Sequence, residues 1–168
     1  DYQHQLKKLE LTEPLNLDRF TWLSSDSVEE LSLKAASSSN SIAGLESLSK
    51  CSSLKKLTLD LGGELSTRFG RRSQVSNLEP LSKLSNLAQL TLNLSYSQVS
   101  NLEPLSKLSN VTHLTLKLSD ESGLKSQVSN LETMSKLTRL QSLSIVDATR
   151  AQRMSLRKLP ANLVELKF

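Results

Sequence analysis

The chain has 168 residues, a formal net charge of +4, 4% aromatic residues and one cysteine. That is one domain's length, and a lone cysteine excludes a disulfide framework and a cysteine-rich zinc module. No apolar run reaches 18 residues, which excludes an ordinary membrane-spanning helix, and the opening DYQHQLKKLE has no apolar stretch of the kind a signal peptide needs.

In chain order, the first strand-like segment is LKKLEL at 6–11, followed by Phe20 and Trp22, the one aromatic pair. VEELSL follows at 28–33 and LKKLTLDL at 54–61. The segment SQVSNLEPLSKLSN then occupies 73–86 and returns letter for letter at 97–110, and a third copy, SQVSNLETMSKL, begins at Ser126. Each copy leads into the same kind of tail: LAQLTLNL at 87–94, VTHLTLKL at 111–118 and LQSLSIV at 140–146. LVELKF at 163–168 makes the seventh unit. The second apolar positions are Leu9, Leu31, Leu57, Leu90, Leu114, Leu143 and Leu166, spaced by 22, 26, 33, 24, 29 and 23 residues. Self-similarity at such periods signals stacked supersecondary units.

Each tail predicts a strand. Leu90, Leu92 and Leu94 alternate with Thr91 and Asn93, so the leucines face one way and the polar residues the other. The preceding segment predicts a short helix. Ser76 and Glu79 have capping-box spacing, repeated by Ser100/Glu103 and Ser129/Glu132. Pro80 and Pro104 fall in the first turn, where a missing N–H does little harm. Leucines at 78, 81, 84 and 87 recur every third residue, a spacing that also suits a 3₁₀ turn. One helix and one strand per unit predict an α/β architecture with a parallel sheet and right-handed crossovers. Each unit then buries its leucines only by stacking on neighbours.

With the LxxLxL pattern covering nearly the whole chain, the sequence resembles leucine-rich-repeat proteins. The phrase NLEPLSKLSNLxxLxL is similar to the short repeats of internalin-like and SDS22-like proteins. The resemblance implies a single solenoid domain of about seven repeats spanning 1–168, with short helices or 3₁₀ turns on the convex side. It also implies a non-enzymatic role in protein–protein recognition. The family's asparagine three residues past the LxL strand is replaced here by Pro14, Ala36, Gly62, Ser95, Ser119 and Ala148. Of these, only the two serines are expected to bond a neighbouring backbone group.

No GxSxG, GxxxxGK[ST], HExxH or CxxC motif is present. His4 and His113 lie about four repeats apart, and Cys51 reads as a small core hydrophobe. The expectation is no enzyme, no metal and no cofactor. Candidate binding residues come from two places. On the concave face the outward columns run Lys8, Glu30, Lys56, Gln89, His113, Ser142, Glu165; then Glu10, Ser32, Thr58, Thr91, Thr115, Ser144, Lys167; then Thr12, Lys34, Asp60, Asn93, Lys117, Val146. From these, Thr58, Gln89, Thr91, His113, Thr115 and Lys117 are candidate contacts. Four insertions, at 35–41, 62–74, 120–125 and 147–155, all follow strands and predict loops along one rim. The second carries Arg68, Phe69, Arg71 and Arg72, and the fourth carries Arg150 and Arg153. A protein partner is expected, met through the glycine-flanked loop more than through the hydroxyl-rich columns. Two other readings stay open: the C-terminal sensor of a NACHT-type NTPase, and nucleic-acid binding through the basic rim. A cytoplasmic location is expected, within a longer chain whose further domains meet this one at either end.

Overall fold

The computed structural model describes residues 6–15, 27–35, 42–62, 73–119, 123 and 125–168. Among them, seven strands form one sheet in chain order: β1 (Lys8–Leu15), β2 (Glu30–Ala35), β3 (Lys56–Asp60), β4 (Gln89–Asn93), β5 (His113–Lys117), β6 (Ser142–Val146) and β7 (Glu165–Lys167). Every neighbouring pair is parallel. The second leucines pair from strand to strand, Leu9 to Leu31 and on to Leu166. A one-residue slip would turn all seven outward, so the leucine column sets the register.

Leu31, Leu57, Leu90, Leu114 and Leu143 are buried, as expected of strand centres. Leu9 and Leu166 are only partly buried, because among the described residues β1 and β7 each have a strand on one side alone. A third leucine per repeat extends the core just past the strand. Leu61, Leu94 and Leu118 are buried, and their N–H groups donate to Asn93, Lys117 and Val146 carbonyls of the next repeat.

The return segments are short. An α-helix, α1, spans Ile42–Leu48. The three repeated segments form five-residue 3₁₀ turns: η1 (Glu79–Lys83), η2 (Glu103–Lys107) and η3 (Glu132–Lys136). Leucine at every third residue fits three residues per turn. Pro80 and Pro104 sit in the first turn as anticipated.

The expected Ser/Glu capping boxes do not form: the N-caps are Leu78, Leu102 and Leu131, with no side-chain cap bond. The residue just before each takes over. Asn77 Oδ1 accepts from the Glu79 N–H, Asn101 from Glu103 and Asn130 from Glu132, at 2.7–2.8 Å. The tight turn starts two residues after the serine, so an asparagine Asx turn closes it instead. Upstream, Ser73 and Ser97 are buried and joined by an isolated parallel bridge. Ser97 Oγ donates to the Leu94 carbonyl at 2.8 Å, Ser73 Oγ accepts from the Val75 N–H at 3.4 Å, and the Ser126 hydroxyl, which opens the third copy, has no partner among the described residues.

The fourth insertion is not a loop. Arg150–Ser155 forms helix α2, whose Thr149 N-cap and Gln152 make the one complete capping box among the described residues. Gln152 is buried and donates to the Val128 carbonyl, and Ser155 Oγ accepts from the Leu131 N–H. Polar bonds therefore dock α2 on the preceding repeat, and no apolar stripe announces it in the sequence.

Candidate functional site

In-register pairing lines up the outward side chains in columns, about 4.8 Å apart between strands. The first two columns are as read from the sequence, from Lys8 to Glu165 and from Glu10 to Lys167. The third is corrected at its start. The register shifts between Leu11 and Pro14, so Pro14 rather than Thr12 pairs with Lys34. Proline is tolerated there because β1 is an edge strand.

Thr58, Gln89, Thr91, His113, Thr115 and Lys117 come together on β3, β4 and β5. Gln89 and His113 are exposed, and the other four are half-buried. The face has two halves. Across β1–β3 it is charged, with Lys8, Glu10, Glu30 and Lys56 around a shallow hollow of about 190 Å³ that Ser32 and Thr58 also line. Across β4–β6 it is mostly neutral, with Gln89, Thr91, Asn93, Thr115, Ser142 and Ser144, and Lys117 as its cation.

One triplet invites a catalytic interpretation: His113, Ser142 and Glu165 are successive members of the first column. The order is wrong for a charge relay, where imidazole stands between hydroxyl and carboxylate. Here Ser142 Oγ donates directly to Glu165 Oε2 at 2.8 Å. His113 Nδ1 lies 2.9 Å from Thr112 Oγ1. Lys167, 2.6 Å from the Glu165 carboxylate, holds it below the usual carboxylate range, helped by Ser142. The serine proton points at an anion, so these groups offer hydrogen bonds rather than an activated nucleophile.

A further row escaped the sequence reading. Lys7 and Lys55 flank Glu29 at 3.8 and 2.8 Å, and the Lys55 bond lowers the Glu29 pKa. Its signal was present in the pairs KK, EE and KK of LKKL, VEEL and LKKL; the first residue of each pair forms this chain of charges.

At the strand ends, Asp60 Oδ1 accepts from the Gly62 N–H at 2.9 Å and Asn93 Oδ1 from Ser95 N–H at 3.1 Å. A Cβ on Gly62 would stand 3.0 Å from Asp60 Oδ1 and from Asn93 Nδ2, so a larger residue there requires those two side chains to give way. Of the two serines expected to bond backbone, Ser119 donates to the Asp147 carbonyl at 3.2 Å, whereas the Ser95 hydroxyl donates to the Asn93 side chain.

An asparagine ladder exists elsewhere, just before the strands. Asn86, Asn110 and Asn162 donate Nδ2 to carbonyls of Ser52, Ser85 and Thr138 in the preceding repeat. Beside it, Lys83, Lys107 and Lys136 reach back to Glu46, Glu79 and Glu103 at 2.5–2.9 Å. The lysine bonds lower the pKa of Glu79 and Glu103.

Arg68, Phe69, Arg71 and Arg72 lie outside the described residues, as do His4, Phe20 and Trp22. Arg150 and Arg153 are exposed on α2. Among the described residues no group of three or more His, Cys, Asp or Glu is placed to hold a metal ion, and no helix is long and apolar enough to cross a membrane.

No protein-family model matches the chain, and no curated protein matches it. Solved structures do. The chain is similar to internalin C2 of Listeria monocytogenes str. 4b F2365, at 26% identity over 83% of this chain and 50% of that one, with a TM-score of 0.49. It is also similar to internalin F of the same strain, at 19% identity over 94% of this chain and 44% of that one, with a TM-score of 0.51. The chain thus spans half the length of the first and less than half of the second. The likeness to the second, with the seven-stranded in-register parallel sheet, gives the fold: an α/β leucine-rich-repeat solenoid.

Proposed function

We propose that the chain is a non-enzymatic module for protein–protein recognition and that its partner docks on the outward face of the sheet. One observation carries this reading. On the return side, the lysine, glutamate and asparagine rows are engaged between repeats, whereas on the sheet the two columns that flank the threonines change side chain at every step from β3 to β5: Lys56, Gln89 and His113 in one, Asp60, Asn93 and Lys117 in the other. A surface of preset shape and exposed hydrogen-bonding groups is suited to a folded partner. Fold alone does not establish this role. A cytoplasmic location belongs to the same proposal, in keeping with a sequence whose one cysteine, Cys51, is buried in the core.

The loop residues Arg68, Phe69, Arg71 and Arg72 remain the competing recognition surface. A photo-crosslinking residue at His113 is expected to capture a protein from native cells that the same residue at Lys83 does not. Titrating that protein against two variants then decides. Thr58, Thr91 and Thr115 replaced by Ala should weaken binding at least tenfold, and serine at the four loop positions should have the smaller effect. The reverse order would move recognition to the loop. Equal capture from both crosslinking positions would contradict a sheet-face site.

A further inference from the structure

The charged half of the sheet face holds two neighbouring columns of identical sign that behave differently. Lys7, Glu29 and Lys55 close into ion pairs at 3.8 and 2.8 Å. One residue further along the chain, Lys8, Glu30 and Lys56 stand in register on β1, β2 and β3 with the same order of charges. Among the described residues none of these three comes within ion-pair distance of an opposite charge, and neither does Glu10. They stand instead around the hollow of about 190 Å³, which the short side chains of Ser32 and Thr58 leave open. The contrast between Glu29 with Lys55 and Glu30 with Lys56 is made at β2 and β3, each paired on both sides. It therefore holds whatever adjoins either edge of the sheet.

We infer that the open column sets the partner's register: the partner docks here through one face of an α-helix that presents acid, base and acid opposite Lys8, Glu30 and Lys56. The inference rests on the reading of the sheet face as a docking surface and names the partner's chemistry there. Alternation of sign selects a protein. Lys8, Glu10, Glu30 and Lys56 around the hollow sum to no net charge, whereas a nucleic acid or an anionic bilayer needs a cationic surface. The hollow's 190 Å³ also falls below the roughly 300 Å³ at which small-molecule pockets begin. Spacing selects a helix. Three strands about 4.8 Å apart spread the column over about 9.6 Å. Residues i, i+4 and i+7 of an α-helix lie within about 60° of one another and span about 10.5 Å along its axis. An extended segment crossing the strands places its same-face side chains about 6.7 Å apart and overshoots by the third. A second copy of this chain matches less well. A two-fold axis at Glu30 sets Glu30 against Glu30 and each Lys8 against a Lys56, and an axis between two strands leaves one lysine of each copy without a counterpart.

The test is a titration of the full chain, followed by NMR of its backbone amides, with two stapled, alanine-rich helical peptides. One carries Glu, Lys and Glu at i, i+4 and i+7, the other Lys, Glu and Lys, and each is balanced to zero net charge on its opposite face. The first is expected to bind at least fivefold more tightly, to shift the amides of Lys8, Glu30 and Lys56, and to lose its advantage in high salt. The variant K8E, E30K and K56E should reverse the preference. The variant K7E, E29K and K55E makes the same exchange in the closed column and should keep it. Melting temperatures verify that both variants are folded, and the parent's own choice between the peptides needs no variant. Equal affinity of the parent for the two peptides, or an unreversed preference in the open-column variant, overturns the inference. Reversal in the closed-column variant alone overturns it in favour of the rim row, and dimerisation of the parent that E30K abolishes overturns it in favour of a second copy. The sheet-face reading fails separately. Equal peptide affinities with capture at His113 intact remove the charge register alone, whereas loss of that capture with the preference reversing as stated leaves the open column as the docking site and moves the partner off β4–β6.

Discussion

The two sides of the solenoid use the same repeat for opposite ends. On the return side, residue identity hardly changes: η1 and η2 are both EPLSK and η3 is ETMSK. Their shared groups are spent on bonds within and between repeats. On the sheet side the first column passes through glutamate, lysine, glutamine, histidine and serine from β2 to β6, a new type at each strand. Sameness belongs where repeats must fit each other, and variety where something else must be met. The duplication of units four and five makes the comparison unusually clean, because return segments of identical sequence carry Gln89 and Asn93 on one strand and His113 and Lys117 on the next, about a shared threonine.

The largest effect comes from crossing from the sheet face into the core. Leu92 is fully buried, and Thr91 next to it is half-buried on the outer side. L92D places a charge with no partner between stacked leucines, at a cost of several kcal/mol. The array is expected to unfold, while T91D melts within a few degrees of the parent. Similar melting temperatures for the two would mean that the two sides had been assigned the wrong way round.

A middle-sized effect separates the asparagine turn from the serine that mimics a cap. N101A removes the acceptor for the Glu103 N–H and should lower stability by about 1 kcal/mol. S100A should be neutral in the same denaturant titration. If the serine variant were the damaging one, the capping box would be real after all.

The smallest effect is electrostatic. Bonds from Lys55, Lys107 and Lys136 lower the pKa of Glu29, Glu79 and Glu103 from the ordinary 4.5, and Lys167 does the same for Glu165. A carboxylate whose folded pKa is lowered stabilises the fold above its unfolded value, and that contribution disappears as pH falls through the folded value. Stability should therefore hold above about pH 5 and fall below 4.5. These side chains are exposed, so K107M should shift the melting temperature only slightly, and added salt should shrink the difference from the parent. A large, salt-independent loss would show that the ladder holds the repeats together more strongly than surface pairs do.

Much of the fold was legible because one residue type does one job. Leucine spacing alone set seven strands, their parallel order and the first two outward columns, since a slip in any strand would expose its core. What escaped were choices between polar residues that serve equally well on paper. Ser76 and Asn77 both suit a helix start, and only the tightness of the 3₁₀ turn selects the asparagine. Helix α2 was hidden because Gln152, rather than an apolar stripe, anchors it. Thr12 was misplaced because a two-residue register shift leaves no trace in hydrophobicity. The asparagine ladder was missed because it stands before the strand, at Asn86 and Asn110, rather than after it. The six sheet-face candidates converge because register follows from leucine, whereas the four loop candidates lie outside the described residues.

The division of labour between the two sides is tested most directly by a binding titration on one matched pair of variants. One carries T91D, T115D and K117E on the sheet face; the other carries E79Q, E103Q and K136M on the return side. With the partner captured through His113, the first variant should lose at least a hundredfold in affinity while keeping its fold, and the second should bind like the parent. Retained binding by the first with loss in the second would contradict the account, because recognition would then reside in the side assigned to stacking.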